Sequence, residues 1–236
     1  MPALRIALLG AESTGKSTLA RELSEVLPAL TGLRVARVDE YLREWCIREG
    51  RTPRFDEQAA IAQEQERRAE ALAASHDLLL ADTTALMTAL YSEHLFRDTS
   101  LSAWAHQAHR QYQLSLLMGL DLPWVADGLQ RDGPQVRDPV DRQLRRWLRE
   151  QGHAFVVIQG HGPKRLEHAL DALTPLLSRL PAQAKPAQAP GGLFSRLLDR
   201  QARLPGATRW TCELCDDPSC EHALKAAPPS SSPGAS

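Results

Sequence analysis

The chain has no asparagine anywhere in its 236 residues, and only four lysines against 24 arginines. Without asparagine, a guanine-reading Asn-Lys-x-Asp motif of the Ras type is impossible. Cysteine is scarce as well: four in all, three of them beyond residue 210. That is too few and too uneven for a disulfide framework. No apolar run approaches the length of about 20 residues needed to span a bilayer. Net charge is nearly absent, at −1, which argues against a surface devoted to nucleic acid or to an anionic membrane. What is present is ordinary for a soluble globular protein, with 43% hydrophobic and 24% charged residues, and this excludes a disordered chain. The arginine bias reflects genome base composition, yet it singles out Lys16, the only lysine before Lys164.

The N-terminal stretch MPALRIALLG holds a six-residue apolar run and no convincing cleavage site. It reads as a buried strand, not a signal peptide, and the expected compartment is the cytoplasm. Leu4–Leu9, Arg34–Val38, Asp77–Ala81, Leu114–Met118 and Phe155–Gln159 read as strands, most of them apolar on both faces. Helical patterns fill Ser17–Leu27, Asp56–Ser75, Thr83–His94, Leu101–Tyr112, Pro139–Gln151 and Pro163–Leu180. Cys46 also falls on a helical pattern, as a small buried hydrophobe. Strands alternating with helices predict an α/β, three-layer domain over residues 1–180 with a five-stranded parallel sheet. A Pro/Ala linker follows at 181–192. A short amphipathic helix and a cysteine-rich tail occupy 193–222, and 223–236 is expected to be disordered.

Gly10-Ala11-Glu12-Ser13-Thr14-Gly15-Lys16-Ser17, followed by Thr18, matches G-x-x-x-x-G-K-[ST] between a predicted strand and a predicted helix. In that context glycines let backbone N–H groups curl around phosphates, and the helix N-terminus adds positive potential. Lys16 would neutralise phosphate charge and the Ser17 hydroxyl would hold Mg²⁺. Asp82 closes the apolar strand DLLLA. It is a candidate Mg²⁺-side carboxylate or the N-cap of the following helix.

A kinase of this architecture needs a carboxylate after the second strand to orient an acceptor hydroxyl and take its proton. Asp39-Glu40-Tyr41-Leu42-Arg43-Glu44 stands there, with a solvated helix start as the alternative. Residues 128–149 hold six arginines and three aspartates. The glycines and Pro134 within them suggest a lid that excludes water, with Arg131 and Arg137 as the lid arginines. Arg142, Arg145, Arg146 and Arg149 read equally well as a solvated helix face. No LSGGQ-like signature of a transporter ATPase is present.

Taken together, GAESTGKST, DEYLRE, ADTT, DLPWVADGLQRDG and VDRQL resemble the ribosylnicotinamide kinase domain of NadR-type proteins, often grouped as an AAA-type ATPase/kinase of NAD metabolism. The resemblance covers about residues 3–175. It implies ATP-dependent phosphorylation of the 5′-hydroxyl of nicotinamide riboside, with Lys16 and Ser17 handling ATP and Mg²⁺ and Asp82 near the metal. It puts Glu40 and Arg43 beside the acceptor, next to the candidate Asp39, and makes Tyr41 and Trp124 candidates to stack on the cationic ring. Asp127 would orient the lid or contact nucleotide. NadR-type proteins usually carry an adenylyltransferase domain, and sometimes a helix-turn-helix, ahead of the kinase. With the phosphate loop opening at residue 10, the expectation is a stand-alone form.

Cys212-x-x-Cys215-x₄-Cys220-x-His222 supplies four candidate Zn²⁺ ligands, with a redox pair at Cys212 and Cys215 or free thiols as alternatives. Expected partners are a small nucleoside, no nucleic acid, no membrane, a homo-oligomer as an option, and an unidentified protein for the tail. The residues alone leave a second reading open, a nucleotide-dependent regulatory ATPase whose tail binds a partner.

Overall fold

Strands buried on both faces must be covered on both faces, and the sequence supplies helices after each of them to do so. The computed structural model describes residues 2–126 and 133–180. In it, β1 (Leu4–Leu9), β2 (Val35–Val38), β3 (Leu78–Asp82), β4 (Leu114–Met118) and β5 (Phe155–Ile158) form one sheet in the order β2-β3-β1-β4-β5. Every pairing is parallel. The predicted α/β class and five-stranded parallel sheet are therefore the observed ones.

Among the described residues, seven α-helices surround the sheet: α1 (Lys16–Thr31), α2 (Tyr41–Glu49), α3 (Gln58–Ala73), α4 (Ala85–Phe96), α5 (Ser102–His109), α6 (Arg137–Glu150) and α7 (Pro163–Leu177). α1 packs against α7, while α4 packs against α3, α5 and α6. Strand alternation divides the core accordingly. Ala7 and Leu9 of β1 join Leu79 and Ala81 in a cluster with α3, α4, α5 and α6. Ile6 and Leu8 are just as completely buried and, alternating along β1, face the other side.

Three differences from the sequence reading have local causes. The pattern over 56–75 is broken into a 3₁₀ turn at Phe55–Glu57 and then α3. Arg51 and the Arg54 amide both bond the Glu57 carboxylate there, at 2.6 to 2.7 Å. α4 starts at Ala85, because Thr83 turns into the left-handed region at φ 76°. α6 begins at Arg137, two residues ahead of Pro139, a first-turn position where proline removes no helical hydrogen bond.

The topology places the site. Leu8 of β1 is in register with Asp82, and Val38 of β2 is in register with Ala81. The loops that leave the carboxyl ends of β1, β2 and β3 therefore emerge side by side, where ligands bind in open parallel sheets. Among the described residues, no helix is long and apolar enough to cross a membrane.

Candidate active site

The loop after β1 is shaped by its own backbone. Gly15 caps α1 at φ 76°, and a Cβ there would stand 2.9 Å from Leu122 Cδ1, so only glycine fits the turn. Ser13 also lies in the left-handed region, at φ 56°. Thr14 Oγ1 donates to the Ala11 carbonyl at 2.8 Å. Lys16 Nζ donates to the Gly10 and Ala11 carbonyls at 2.9 and 3.0 Å, which holds the cation across the mouth of the loop.

Two contacts from elsewhere in the chain brace this loop. Ser13 Oγ accepts from Val125 N at 2.8 Å and donates to the Pro123 carbonyl at 3.4 Å. Arg165, in the first turn of α7, is 5% exposed and donates to the Thr14 carbonyl at 2.7 Å and the Gly160 carbonyl at 2.9 Å. Asp121, 3.3 Å away, supplies the counter-charge that such burial requires. Arg165 escaped the sequence reading because an arginine in a helical pattern looks like a solvated one.

Asp82 is the last residue of β3 and is buried. Burial pushes its carboxyl above the usual carboxylate range, while the Lys16 charge and a hydrogen bond from Ser17 pull the other way. Its Oδ1 has no hydrogen-bond partner among the described residues. The alternative that made Asp82 a helix cap is corrected. Thr84 caps α4 and accepts from Leu86 N at 3.3 Å, and Glu66 accepts from Ala85 N at 2.8 Å. With these donors satisfied elsewhere, Asp82 is left facing Lys16 and Ser17. A buried carboxylate oxygen without a donor suits a cation. Mg²⁺ characteristically takes one or two carboxylates plus phosphate oxygens and waters, not an all-protein cage, so Ser17 and Asp82 fit it.

On the other wall, Glu40 is the N-cap residue of α2, and Arg43 stands 3.7 Å from its carboxylate. Asp39 pairs instead with Arg37 at 2.6 Å. Tyr41 does not line the cleft. The Arg68 guanidinium lies 4.3 Å over its ring, clasped in turn by Glu44 and Glu64. Arg68 also holds the Glu44 carboxyl below its ordinary range.

Phosphate loop, Asp82, Glu40 and Arg43 share one cleft of about 1230 Å³. Its far end is apolar and aromatic. Tyr91, Leu95 and Phe96 of α4 line it, with Phe55 opposite, and the Phe55 and Phe96 rings meet edge-on at 6.2 Å. By helix rise this end lies about 16 Å along α4 from the Asp82 turn. None of these aromatic residues was singled out from sequence. They sit in separate elements, and only the fold brings them together.

Two further candidate residues do not line the cleft among the described residues. Arg137 opens α6 with its side chain buried, donating to the Leu122 carbonyl at 2.9 Å, so it tethers the segment after β4 and does not line the cleft. Trp124 is likewise absent from the cleft lining. Arg131, Asp127, Cys212, Cys215, Cys220 and His222 lie outside the described residues, as do the linker and tail. Among the described residues, no three His, Cys, Asp or Glu side chains gather as a metal cage.

A family model described as an AAA domain matches residues 5–165, most of the chain. The chain belongs to this AAA-domain family. Among solved structures, it is similar to NadR in complex with NR, at TM-score 0.62 and 20% identity over 77% of this chain. NadR with NAD and AMP-PNP gives 0.58 and 19%. The chain spans about half the length of those NadR chains, 52% and 51%. Thymidylate kinase from Ehrlichia chaffeensis matches at 0.53 and 12%, over 75% of this chain and 100% of its own. Deoxyadenosine kinase from M. mycoides matches at 0.50 and 14%, over 73% and 100%. At these identities the likeness establishes the fold alone, an α/β fold with a five-stranded parallel sheet. No curated protein matches the sequence. In this AAA domain the α/β fold thus carries the phosphate loop and two carboxylate-bearing turns around one cleft.

Proposed function

We propose that the chain is an ATP-dependent kinase that phosphorylates the 5′-hydroxyl of a nucleoside, with nicotinamide riboside as the first acceptor to test. One observation carries the reading: the phosphate loop, Asp82 and the Glu40 carboxylate open into a single cleft. A switch that only hydrolyses nucleotide has no need of the aromatic far end.

The acceptor oxygen attacks the γ-phosphorus as the bond to the β,γ-bridging oxygen breaks, and ADP departs. Glu40 orients the 5′-hydroxyl and takes its proton, with the Arg43 cation beside it. Lys16 moves from its two carbonyl partners to phosphate oxygens and offsets the charge that develops during transfer. Ser17 and Asp82 hold the metal side of the nucleotide. Bound Mg²⁺ supplies charge neutralisation of the phosphate oxygens. Arg131 remains the proposed lid arginine.

For the acceptor base, the aromatic faces on the cleft are Phe55, Tyr91 and Phe96. Tyr41 already carries the Arg68 cation on its ring, so the stacking role passes to the α4 end. Nicotinamide riboside heads the acceptors because the chain's motifs resemble NadR-type kinases and because a flat cationic ring suits an aromatic face.

The test is a panel of nucleosides with MgATP, followed by ADP release. Stimulation by nicotinamide riboside well above the acceptor-free rate is the expected result. Stimulation by a different nucleoside only would keep the kinase and replace the substrate. An acceptor-independent rate throughout would favour the regulatory ATPase.

A further inference from the structure

Glu40 and Asp82 sit on different loops, and nothing local to either loop sets the distance between them. One side chain touches the backbone of both. Gln65, on α3, is 3% exposed and brackets Glu40 on its two sides. Its Oε1 accepts from Tyr41 N at 2.8 Å, and its Nε2 donates to the Asp39 carbonyl at 3.4 Å. The same Nε2 donates to the Thr83 carbonyl at 3.3 Å, one residue beyond Asp82.

The chemistry of this junction admits few residue types. Tyr41 N is one of the N–H groups at the start of α2 that lack a helical partner and need an acceptor. The two carbonyls need donors. A primary amide offers one acceptor and two donors on a single planar head, whereas a carboxylate offers acceptors alone and an aliphatic chain offers neither. Asparagine would be one methylene short. Thr83 itself is a β-branched residue in the left-handed region, a costly conformation that persists where the surroundings over-determine it. Its N–H is held by the Leu8 carbonyl at 3.1 Å and its carbonyl by Gln65. The strained turn that aims Asp82 and the cap that aims Glu40 therefore share one fastening point.

We propose that Gln65 is a positioning residue that sets the spacing of Glu40 and Asp82, and so couples the acceptor wall of the cleft to its nucleotide wall. This rests on the reading of the cleft as a kinase site. Gln65 touches no substrate. Its effect passes through the two backbone turns, and misplacement of reacting groups by about 1 Å costs on the order of 100-fold in rate.

The experiment compares full-length wild type, Gln65→Leu and Gln65→Glu. Three quantities are measured: turnover against pH, affinity for a non-hydrolysable ATP analogue, and hydrogen exchange at the Tyr41 amide. The expected outcome for Gln65→Leu is a kcat at least about tenfold lower, nucleotide affinity within about threefold of wild type, and faster exchange at Tyr41. For Gln65→Glu, the ionised carboxylate faces two carbonyls. Once protonated it regains one donor, so its kcat relative to wild type rises as pH falls. The proposal is overturned if Gln65→Leu turns over within about twofold of wild type. It is equally overturned if kcat, nucleotide affinity and melting temperature fall together, because Gln65 is then a scaffold residue only. A wild-type chain inert toward every acceptor would sink the kinase reading itself, whereas an active wild type with an indifferent Gln65→Leu would sink this proposal alone.

Discussion

The two ends of the cleft are built on different plans. At the nucleotide end, eight consecutive residues fold back on themselves, and their own carbonyls, hydroxyls and glycine torsions give the loop its shape. At the proposed acceptor end, the surface is assembled from α2, the turn at Phe55–Glu57 and the last turn of α4, with Gln65 and Arg68 of α3 fixing what α2 presents. Chemistry that depends on backbone geometry has to be written contiguously. Chemistry that depends on shape complementarity to a base can be gathered from anywhere.

Lys16→Ala should have the largest effect. Turnover falls by about a thousandfold, while the affinity for the acceptor, measured by calorimetry, stays within about threefold. An equal loss of acceptor binding would break the division between the ends. Asp82→Asn comes next, with turnover lower by about 100-fold. Its stability should move the other way, because the substitution removes a buried charge with no donor on Oδ1. A melting temperature equal to or above wild type, in a nearly inactive variant, is the signature of strain kept for function.

At the acceptor end, Phe96→Ala should raise the acceptor KM by about tenfold, roughly 1.4 kcal/mol of lost contact, and leave the KM for ATP within about twofold. Tyr41→Leu sharpens the comparison from the other side. It removes the ring under Arg68 and costs about 1 kcal/mol of stability, with the acceptor KM unchanged. If Tyr41→Leu raised that KM and Phe96→Ala did not, the base would lie on the α2 side.

The smallest effect concerns the support behind the Asp82 turn. His109 lies between Thr84 Oγ1 at 3.3 Å and Ser115 Oγ at 2.9 Å, and burial lowers its pKa from 6.5 to about 3. The unfolded chain then binds a proton that the folded one refuses. This contribution is complete above pH 6.5 and is lost as pH falls toward about 3, at up to about 1.4 kcal/mol per pH unit. His106 and His153, beside it and also lowered, act in the same sense. Buried Glu66, whose carboxyl is raised, acts in the opposite one. In chemical denaturation between about pH 6.5 and 5, His109→Gln should show a shallower loss of stability than wild type.

These contrasts explain what the sequence disclosed. β1 and β4 were legible to the residue, because an apolar run bounded by polar residues has one way to be a buried parallel strand. The phosphate loop was legible for the reason given above. Asp82 could be located from its strand but not assigned, since cap and metal carboxylate look alike until Thr84 and Glu66 are seen to satisfy the start of α4. At Tyr41 the stacking candidacy came from the family resemblance, and nothing nearby in sequence announces that Arg68, 27 positions on, lies over its ring. Gln65 left no trace, because a glutamine among glutamates and arginines on α3 is what a solvated helix face also contains.

The central claim is that both ends serve one transfer, and following the fate of the γ-phosphoryl group tests it most directly. With γ-labelled ATP, Mg²⁺ and nicotinamide riboside, the account predicts label in a nucleoside 5′-monophosphate, one per ADP formed, and little in free phosphate. Label released as inorganic phosphate at the same rate with or without any nucleoside would contradict it.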